Sequence, residues 1–210
     1  MSVIQKYQQR NITYNMKKFE EFIKESNNTQ ESLNNKLISA VNNNSSIKVK
    51  ELIELGADVN YINKYDEIPI ITAIHYDRIK IIDELLKSKN INLEIKGLIE
   101  PDCISPRDST PLFIASRGNL DIVKKLIKAG SIIDCIGHNG STPLIESTAY
   151  KYNDVMIYLI KEGANMLIKN KYNDDMGYYL DDEQIELIKK ECPIEYEKFL
   201  LDKESQKYNL

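Results

Sequence analysis

An internal repeat of about 33 residues constrains the fold of this chain more than any other feature of its sequence. Thr110-Pro111-Leu112 recurs 32 residues later as Thr142-Pro143-Leu144, and Gly130 recurs 33 residues later as Gly163. A period of this length indicates that one structural unit follows another along the chain. A unit so small cannot bury its apolar face alone, so neighbouring units must stack and share a continuous core.

The residues between these landmarks predict two short helices in each unit. Thr110 can cap the first N–H groups of one helix, and Pro111 suits its first turn because the missing N–H would have no partner there. Gly130 can adopt the left-handed conformation in which many helices end. The apolar stripe of a second, amphipathic helix comprises Ile122, Val123, Leu126 and Ile127.

This pattern resembles the ankyrin repeat, in which a Thr-Pro-Leu motif opens a helix pair and a Gly-Ala motif closes it. The closing motif is clear in Leu55-Gly-Ala-Asp-Val-Asn60 and in Leu159-Ile-Lys-Glu-Gly-Ala164. The opening motif is clear at Thr110 and Thr142, so two units match strongly and three match more weakly. The resemblance predicts an all-α ankyrin-repeat solenoid of stacked helix-turn-helix units, with hairpin loops between the units and a capping helix at each end.

The repeats divide the chain into three parts. We expect an N-terminal helical extension over residues 1–32, the repeat domain over 33–191, and a C-terminal helix and tail over 192–210. The five units of the repeat domain are expected at about 35–63, 64–94, 107–137, 138–170 and 171–191. An insertion of about 95–107 lengthens the loop between the second and third units, and long loops in compact domains are usually functional or disordered.

Local patterns outside the clear motifs give three more predictions. An apolar stripe that includes Met16 predicts a helix over about Thr13–Lys24, followed by a loop at Ser26–Thr29. This helix either covers the end of the stack or binds a partner separately. The second unit lacks the closing Gly-Ala, so Asn90 is expected to end its second helix in the left-handed region. Pro193 begins a last helix.

Charge and composition exclude several classes of partner and location. Lys and Arg total 28 against 32 Asp and Glu, a net charge of −4, so we expect no nucleic-acid partner, which would need a basic surface. There is no run of 18 apolar residues and no apolar signal segment at the N-terminus, so we expect no membrane association. Three scattered cysteines favour a reducing, intracellular compartment, and we expect the cytoplasm.

The titratable residues do not form a recognisable catalytic or metal motif. Cys135 and His138 have a C-x-x-H spacing, but zinc needs four ligands, and Cys103, Cys192 and His75 lie in other repeats or in the insertion. Two histidines in different units, with no nucleophile motif beside either, do not indicate nucleophilic catalysis. We therefore expect no enzyme activity, no catalytic residue, no metal and no cofactor.

The resemblance also implies where a partner would bind. In ankyrin-like stacks the hairpin tips and the adjacent inner faces of the first helices form a concave partner surface. The matching tip positions in this sequence are Lys64, Tyr65, Glu67, His138, Asn139, Lys171 and Tyr172. The matching inner-face positions are His75, Tyr76, Arg117 and Tyr150. Tyr and Arg are enriched at interface hot spots, although a tip tyrosine can instead pack on the next hairpin.

These expectations define a non-catalytic protein–protein interaction module: a monomeric scaffold, adaptor or inhibitor that binds another protein. Fold alone does not fix a function, and the alternative is a structural or self-assembling repeat protein. The resemblance also implies a setting, because such proteins are common in large DNA viruses and intracellular bacteria, where they engage host proteins. The host cytoplasm is then the expected compartment.

Overall fold

The fold is taken from a computed structural model that describes residues 3–97 and 108–208, without the side chains of residues 3–15, 19–24, 28 and 208. Over this part of the chain the regular elements are helices. They are α1 (Val3–Asn42), α2 (Ser46–Glu54), α3 (Pro69–His75), α4 (Ile79–Leu86), α5 (Pro111–Ala115), α6 (Leu120–Lys128), α7 (Pro143–Ala149), α8 (Asn153–Lys161), α9 (Met176–Tyr179), α10 (Asp182–Glu191) and α11 (Pro193–Tyr208). A 3-10 turn, His138–Gly140, precedes α7.

The helices form consecutive pairs that stack side by side. The first helices of successive pairs are in contact, from α1 through α3, α5 and α7 to α9. Second helices also pack on one another, α2 on α4, α6 on α8 and α8 on α10. The structure thus confirms the predicted all-α repeat solenoid. Its continuous core takes buried side chains from each pair, including Leu37, Val49, Ile70, Ile81, Leu112, Leu126, Leu144, Leu159 and Ile188.

The predicted capping chemistry is present in the two units with the clearest motifs. The hydroxyl of Thr110 accepts a hydrogen bond from the N–H of Phe113, and that of Thr142 accepts one from Ile145. Both helices begin at the following proline. Gly130 follows Ala129, the C-cap residue of α6, and has φ +99°, which confirms the predicted left-handed ending of that helix.

The loop predicted at Ser26–Thr29 is wrong, because these residues lie inside the 40-residue helix α1. The hydroxyl of Thr29 donates to the carbonyl of Glu25 at 2.8 Å, a bond within the helix. No Gly or Pro interrupts this stretch, so its weakly helix-disfavouring polar residues do not separate the helical segments on either side. The predicted Thr13–Lys24 helix belongs to α1, and Met16 is 59% exposed rather than packed on the stack.

The left-handed conformation predicted for Asn90 is also wrong. Among the described residues, those other than glycine with positive φ are Asn44, Asp66, Asp77, Asn139, Lys151 and Asn173. Instead, the side chain of Asn60, one unit earlier, donates to the carbonyl of Asn90 and accepts from the N–H of Asn92, both at 2.7 Å. A neighbouring unit therefore satisfies the loop's backbone groups, and the left-handed helix ending is not needed.

The Asn60 interaction is one step of a ladder between successive units. The residue that corresponds to Asn60 in the next unit is Glu94, which accepts from the N–H of Ile132 at 2.9 Å. The one after that is Asp134, which accepts from the N–H of Asn165 at 2.9 Å. These bonds fix the position of each hairpin loop relative to the next.

The insertion predicted at about 95–107 lies mostly outside the described residues, but both ends of its base are described. Gly97 and Ser109 form an isolated antiparallel bridge, in which the N–H of Gly97 donates to the carbonyl of Ser109 at 3.0 Å. Gly97 lies against Ile68 and Ile71, and a Cβ added at Gly97 would come within 2.4 Å of the Cδ1 atom of Ile71. The chain thus leaves and re-enters the hairpin at paired positions, and the stack continues across the insertion.

The last described helix packs against the fifth helix pair. α11 begins at Pro193, as predicted, and its Phe199 is buried. Lys203 donates to Asp175 at 2.9 Å, which ties α11 to the start of α9. None of the described helices combines the length and the apolar composition that crossing a membrane would require.

Candidate partner-binding surface

The hairpin tip before α3 is built around one asparagine. The side-chain oxygen of Asn63 accepts from the N–H groups of Tyr65 and Glu67, both at 2.9 Å. Asp66 adopts a left-handed φ of 67°, which Asp tolerates better than most residues. This local ring of hydrogen bonds is an Asx-type turn, and it fixes the backbone from which the side chain of Tyr65 projects.

The hairpin tip before α9 has the same construction. Asn170 accepts from the N–H groups of Tyr172 and Asp174 at 2.8 and 3.1 Å, and Asn173 repeats the φ of 67°. The N–H of Lys171 donates to the carbonyl of Asn139 at 2.8 Å, so this tip is joined to the one before α7.

Both tip tyrosines are in solvent. Tyr65 is 71% exposed and Tyr172 is 66% exposed, which excludes the alternative that they pack into a neighbouring hairpin within the described residues. The ammonium of Lys64 lies 4.9 Å from the ring centroid of Tyr65, within cation–π range. Each tip therefore presents an exposed tyrosine, and at the tip before α3 a lysine lies beside its ring.

Glu67 has a structural role at its tip. One carboxylate oxygen accepts from Asn42 in α1 at 2.9 Å, and the other accepts from Asn63 at 2.5 Å. These bonds connect the tip to the first helix pair. Both oxygens of this predicted partner-binding residue are thus already engaged within the chain.

The tip before α7 is a tight turn at His138–Gly140, with Asn139 at φ 56°. The Nδ1 atom of His138 lies 3.7 Å from a carboxylate oxygen of Asp108, so the two would form an ion pair when the imidazole is protonated. Cys135, three residues earlier, is buried and accepts a hydrogen bond from Thr110. Burial raises the pKa of this thiol to about 11. No cluster of three potential metal ligands occurs in the described part of the chain.

Two of the predicted inner-face residues lie at the end of α3. The rings of His75 and Tyr76 are 4.8 Å apart in an edge-to-face arrangement. The guanidinium of Arg78 lies 4.5 Å from the Tyr76 centroid and donates to the carbonyl of Val41. Tyr76 is thereby held in place while remaining largely exposed.

The other two, Arg117 and Tyr150, lie beside each other across the third and fourth units. The guanidinium of Arg117 is 4.9 Å from the Tyr150 centroid, and both its Nε and Nη2 lie 2.5 Å from one oxygen of Glu146. Glu146 is buried, and this burial raises the pKa of its carboxyl even though the charge and hydrogen bond of Arg117 act to lower it. Sequence analysis missed Glu146, although a charged residue in the otherwise uncharged segment Pro143–Ala149 was a usable signal.

A groove of about 460 Å³ opens between the ends of α3, α5 and α7. It brings together three of the predicted residues, His75, Arg117 and Tyr150, with residues that were not predicted, among them Asp77 and Tyr152. Tyr65, Tyr172 and the other tip residues do not line it. The candidate surface therefore has two parts, a set of hairpin tips and a groove. We call the residues Tyr65, Tyr76, Arg117, Tyr150 and Tyr172, with their immediate neighbours, the inner surface.

Comparisons with known proteins agree with this architecture. Residues 95–170 match a family model for ankyrin repeats, present in three copies. Over 85 residues the chain is 34% identical to the palmitoyltransferase AKR1 of Saccharomyces cerevisiae. That match covers 40% of this chain but only 11% of the yeast protein, so the chain corresponds to a small part of its length.

Proposed function

This chain is an ankyrin-repeat protein, and we propose that it is a non-catalytic scaffold, adaptor or inhibitor that holds a partner protein on its inner surface. Ankyrin repeats are generally protein–protein interaction modules. An intracellular location belongs to the same proposal, with a host protein as the partner if the chain comes from a virus or an intracellular bacterium.

The observation that supports the proposal most strongly is the exposure of four tyrosines on this surface. Tyr65, Tyr76, Tyr150 and Tyr172 each expose more than half of their area, although the rest of the tip and turn backbone is held by internal hydrogen bonds. Tyrosine combines a large apolar area with a polar group and loses little conformational entropy on binding. A rigid row of such side chains favours recognition of a protein surface.

The proposal includes no chemical activity. Ankyrin repeats are typically non-catalytic, and the activity in the name of the yeast relative stays with that protein. A self-assembling role is the competing proposal. It predicts that the mass in solution rises with protein concentration, whereas the interaction module is expected to stay monomeric.

Affinity capture tests the proposal. The wild type is compared with a Tyr65→Ala/Tyr76→Ala/Tyr172→Ala variant, after circular dichroism has confirmed that both are folded. A matched control, Ile47→Ala/Leu55→Ala/Ile132→Ala, removes exposed apolar side chains that lie on or after second helices. We expect the wild type and the control to retain the same protein and the tyrosine variant to lose it.

Two other outcomes would contradict the proposal. Equal capture by the tyrosine variant would move the binding site off the inner surface. Loss of capture in the isoleucine and leucine control alone would place binding on the second-helix side.

A further inference from the structure

We propose that the groove between α3, α5 and α7 receives a long basic side chain, arginine or lysine, from the partner. This inference rests on the proposed function and specifies the chemistry that one part of the inner surface recognises. We call the site the Gly118 groove, because Gly118 lies on its lining.

The groove exists because the third unit lacks a side chain that both of its neighbours have. Tyr76, Gly118 and Tyr150 each lie seven residues after the proline that opens the first helix of their unit. α5 has five residues, whereas α3 and α7 have seven each. A glycine at this position leaves an open space between two units that carry exposed tyrosines, and the volume of about 460 Å³ is within the range of ligand sites.

One part of the groove lining is apolar and can contact an aliphatic stem. Ile74, Ile114 and Ala115 contribute apolar lining at the ends of α3 and α5. The ring of Tyr152 forms a further side, since a Cβ added at Gly118 would contact it at 3.4 Å. Lysine and arginine bury their methylene stems on apolar surface while their charged groups stay in contact with water or with a carboxylate.

The charges on the lining favour a cationic group at the end of that stem. Arg117 is already neutralised by Glu146. Asp77 is exposed, and its carboxylate accepts from the neutral side-chain amide of Asn119 at 2.9 Å. Among the described residues, no cation lies within ion-pair distance of Asp77. The groove therefore has one uncompensated charge, and it is negative.

Other side chains fit these groups less well. A carboxylate from the partner would have to compete with Glu146 for Arg117, and a buried Glu146 without its partner would be strongly destabilising. A purely apolar side chain would remove water from Asp77 without replacing its hydrogen bonds. A basic side chain can place its aliphatic stem on the apolar lining and its charged group near Asp77.

Short peptides test this inference without the natural partner. The probes are acetylated and amidated Gly-Ala-X-Ala-Gly peptides in which X is arginine, lysine, norleucine or glutamate. Isotope-labelled full-length protein is titrated, and the backbone amide signals of Gly118 and Asn119 are followed by NMR. We expect saturable shifts with arginine and lysine, weaker binding of norleucine, and no saturable shift with glutamate.

The Asp77→Asn variant isolates the charge. Asparagine tolerates the left-handed φ of 51° at this position and keeps an oxygen that can accept from Asn119. We expect it to bind the arginine peptide about threefold to fivefold more weakly than the wild type, the ratio for a partly exposed ion pair. Asp66→Asn is the matched control, because Asp66 also has a left-handed φ but lies at a tip outside the groove. It should bind like the wild type.

Three results would overturn the inference: glutamate peptides that shift Gly118 and Asn119 as strongly as arginine peptides, unchanged binding by Asp77→Asn, or no response of these amides to any peptide. The peptide titration tests the groove specificity and the affinity capture tests the proposed function, so a negative result in one does not imply a negative result in the other. Loss of peptide binding with intact, tyrosine-dependent capture would remove this inference alone. Peptide binding without tyrosine-dependent capture would contradict the proposed function and leave the groove specificity intact.

Discussion

Arg117 and Glu146 come from adjacent repeats, and the guanidinium of one neutralises the buried carboxylate of the other. Arg117 follows α5, whereas Glu146 lies in α7. The same guanidinium also lies over the ring of Tyr150. This pair joins the core of the fourth unit to the inner surface, so it contributes both to stability and to the shape of the groove.

Replacing Arg117 should destabilise the fold through the charge that it leaves behind. We expect Arg117→Ala to lower the free energy of unfolding by about 2 kcal/mol at pH 7, less than for fully buried pairs because 27% of the Arg117 side chain is exposed. Urea denaturation measures the change. In a Glu146→Gln background the same replacement should cost less than about 1 kcal/mol, and an equal cost in both backgrounds would contradict the pairing.

The cost of Arg117→Ala should also depend on pH. Burial raises the pKa of Glu146, so the folded state holds this proton more tightly than the unfolded state. Ionised Glu146 therefore destabilises the fold above its raised pKa, and this cost is relieved as pH falls towards the ordinary carboxyl pKa. Loss of Arg117 raises the pKa further, so the variant should lose less stability at pH 5 than at pH 7. A pH-independent difference in urea midpoints would exclude this mechanism.

Asn60 should be important for the second unit, whose Gly-Ala ending is missing. Asn60→Ala removes both the donor to Asn90 and the acceptor for Asn92, and we expect a loss of about 1–2 kcal/mol. Asn60→Asp keeps the acceptor and should lose less. Hydrogen exchange should locate the effect at the amide of Asn92. If exchange there is unchanged in Asn60→Ala, the ladder does not hold this loop.

Cys135 should be unreactive in the folded protein. Its thiol is buried, and its pKa of about 11 leaves almost no thiolate at pH 7 to 8, which is the form that alkylating reagents attack. We expect iodoacetamide to label Cys135 only when denaturant unfolds the third and fourth units, as read by peptide mass spectrometry. Rapid labelling without denaturant would show that this hairpin opens in the native state.

The tip tyrosines should contribute little to stability. Tyr65 and Tyr172 are largely exposed and lie outside the core, so Tyr65→Ala and Tyr172→Ala should each change the free energy of unfolding by less than about 0.5 kcal/mol. Thermal and urea denaturation would check this. A larger loss in either variant would mean that the tyrosine supports its hairpin, and any loss of capture would then need a different explanation.

Predictions from local sequence were reliable where one unit contains all the interacting residues. Thr110, Thr142 and the prolines after them cap and begin their helices as predicted, because the groups involved are at most three residues apart. The prediction of a left-handed conformation at Asn90 was wrong because the side chain of Asn60, 30 residues earlier, supplies the hydrogen bonds that the loop backbone needs. The prediction of a loop at Ser26–Thr29 was wrong because polar residues without Gly or Pro weaken a helix but do not end it.

For the candidate surface too, sequence analysis gave the positions of residues within a unit but not their contacts across units. The repeat register placed Tyr65 and Tyr172 at hairpin tips and Tyr76 and Tyr150 on the inner faces of the first helices. In the structure all four are exposed, and Tyr76 and Tyr150 lie directly after α3 and α7. That register also aligns Gly118 with Tyr76 and Tyr150, but it predicts neither the width nor the charge of the groove that the glycine leaves between them. Glu67 was predicted as a partner-binding residue of its tip, and only its contacts with Asn42 and Asn63 assign it a structural role.

The sequence by itself determined the repeat, the helix pairs and the positions of the exposed tyrosines. These features follow from periodicity, helix caps and apolar stripes, which act within one unit. The tertiary structure alone decided which polar groups pair across units, as in the ladder from Asn60 and the pair of Arg117 with Glu146, and where a groove stays open. Such contacts join residues about 30 positions apart, and their geometry is set only when stacking brings the units together and fixes their side-chain rotamers.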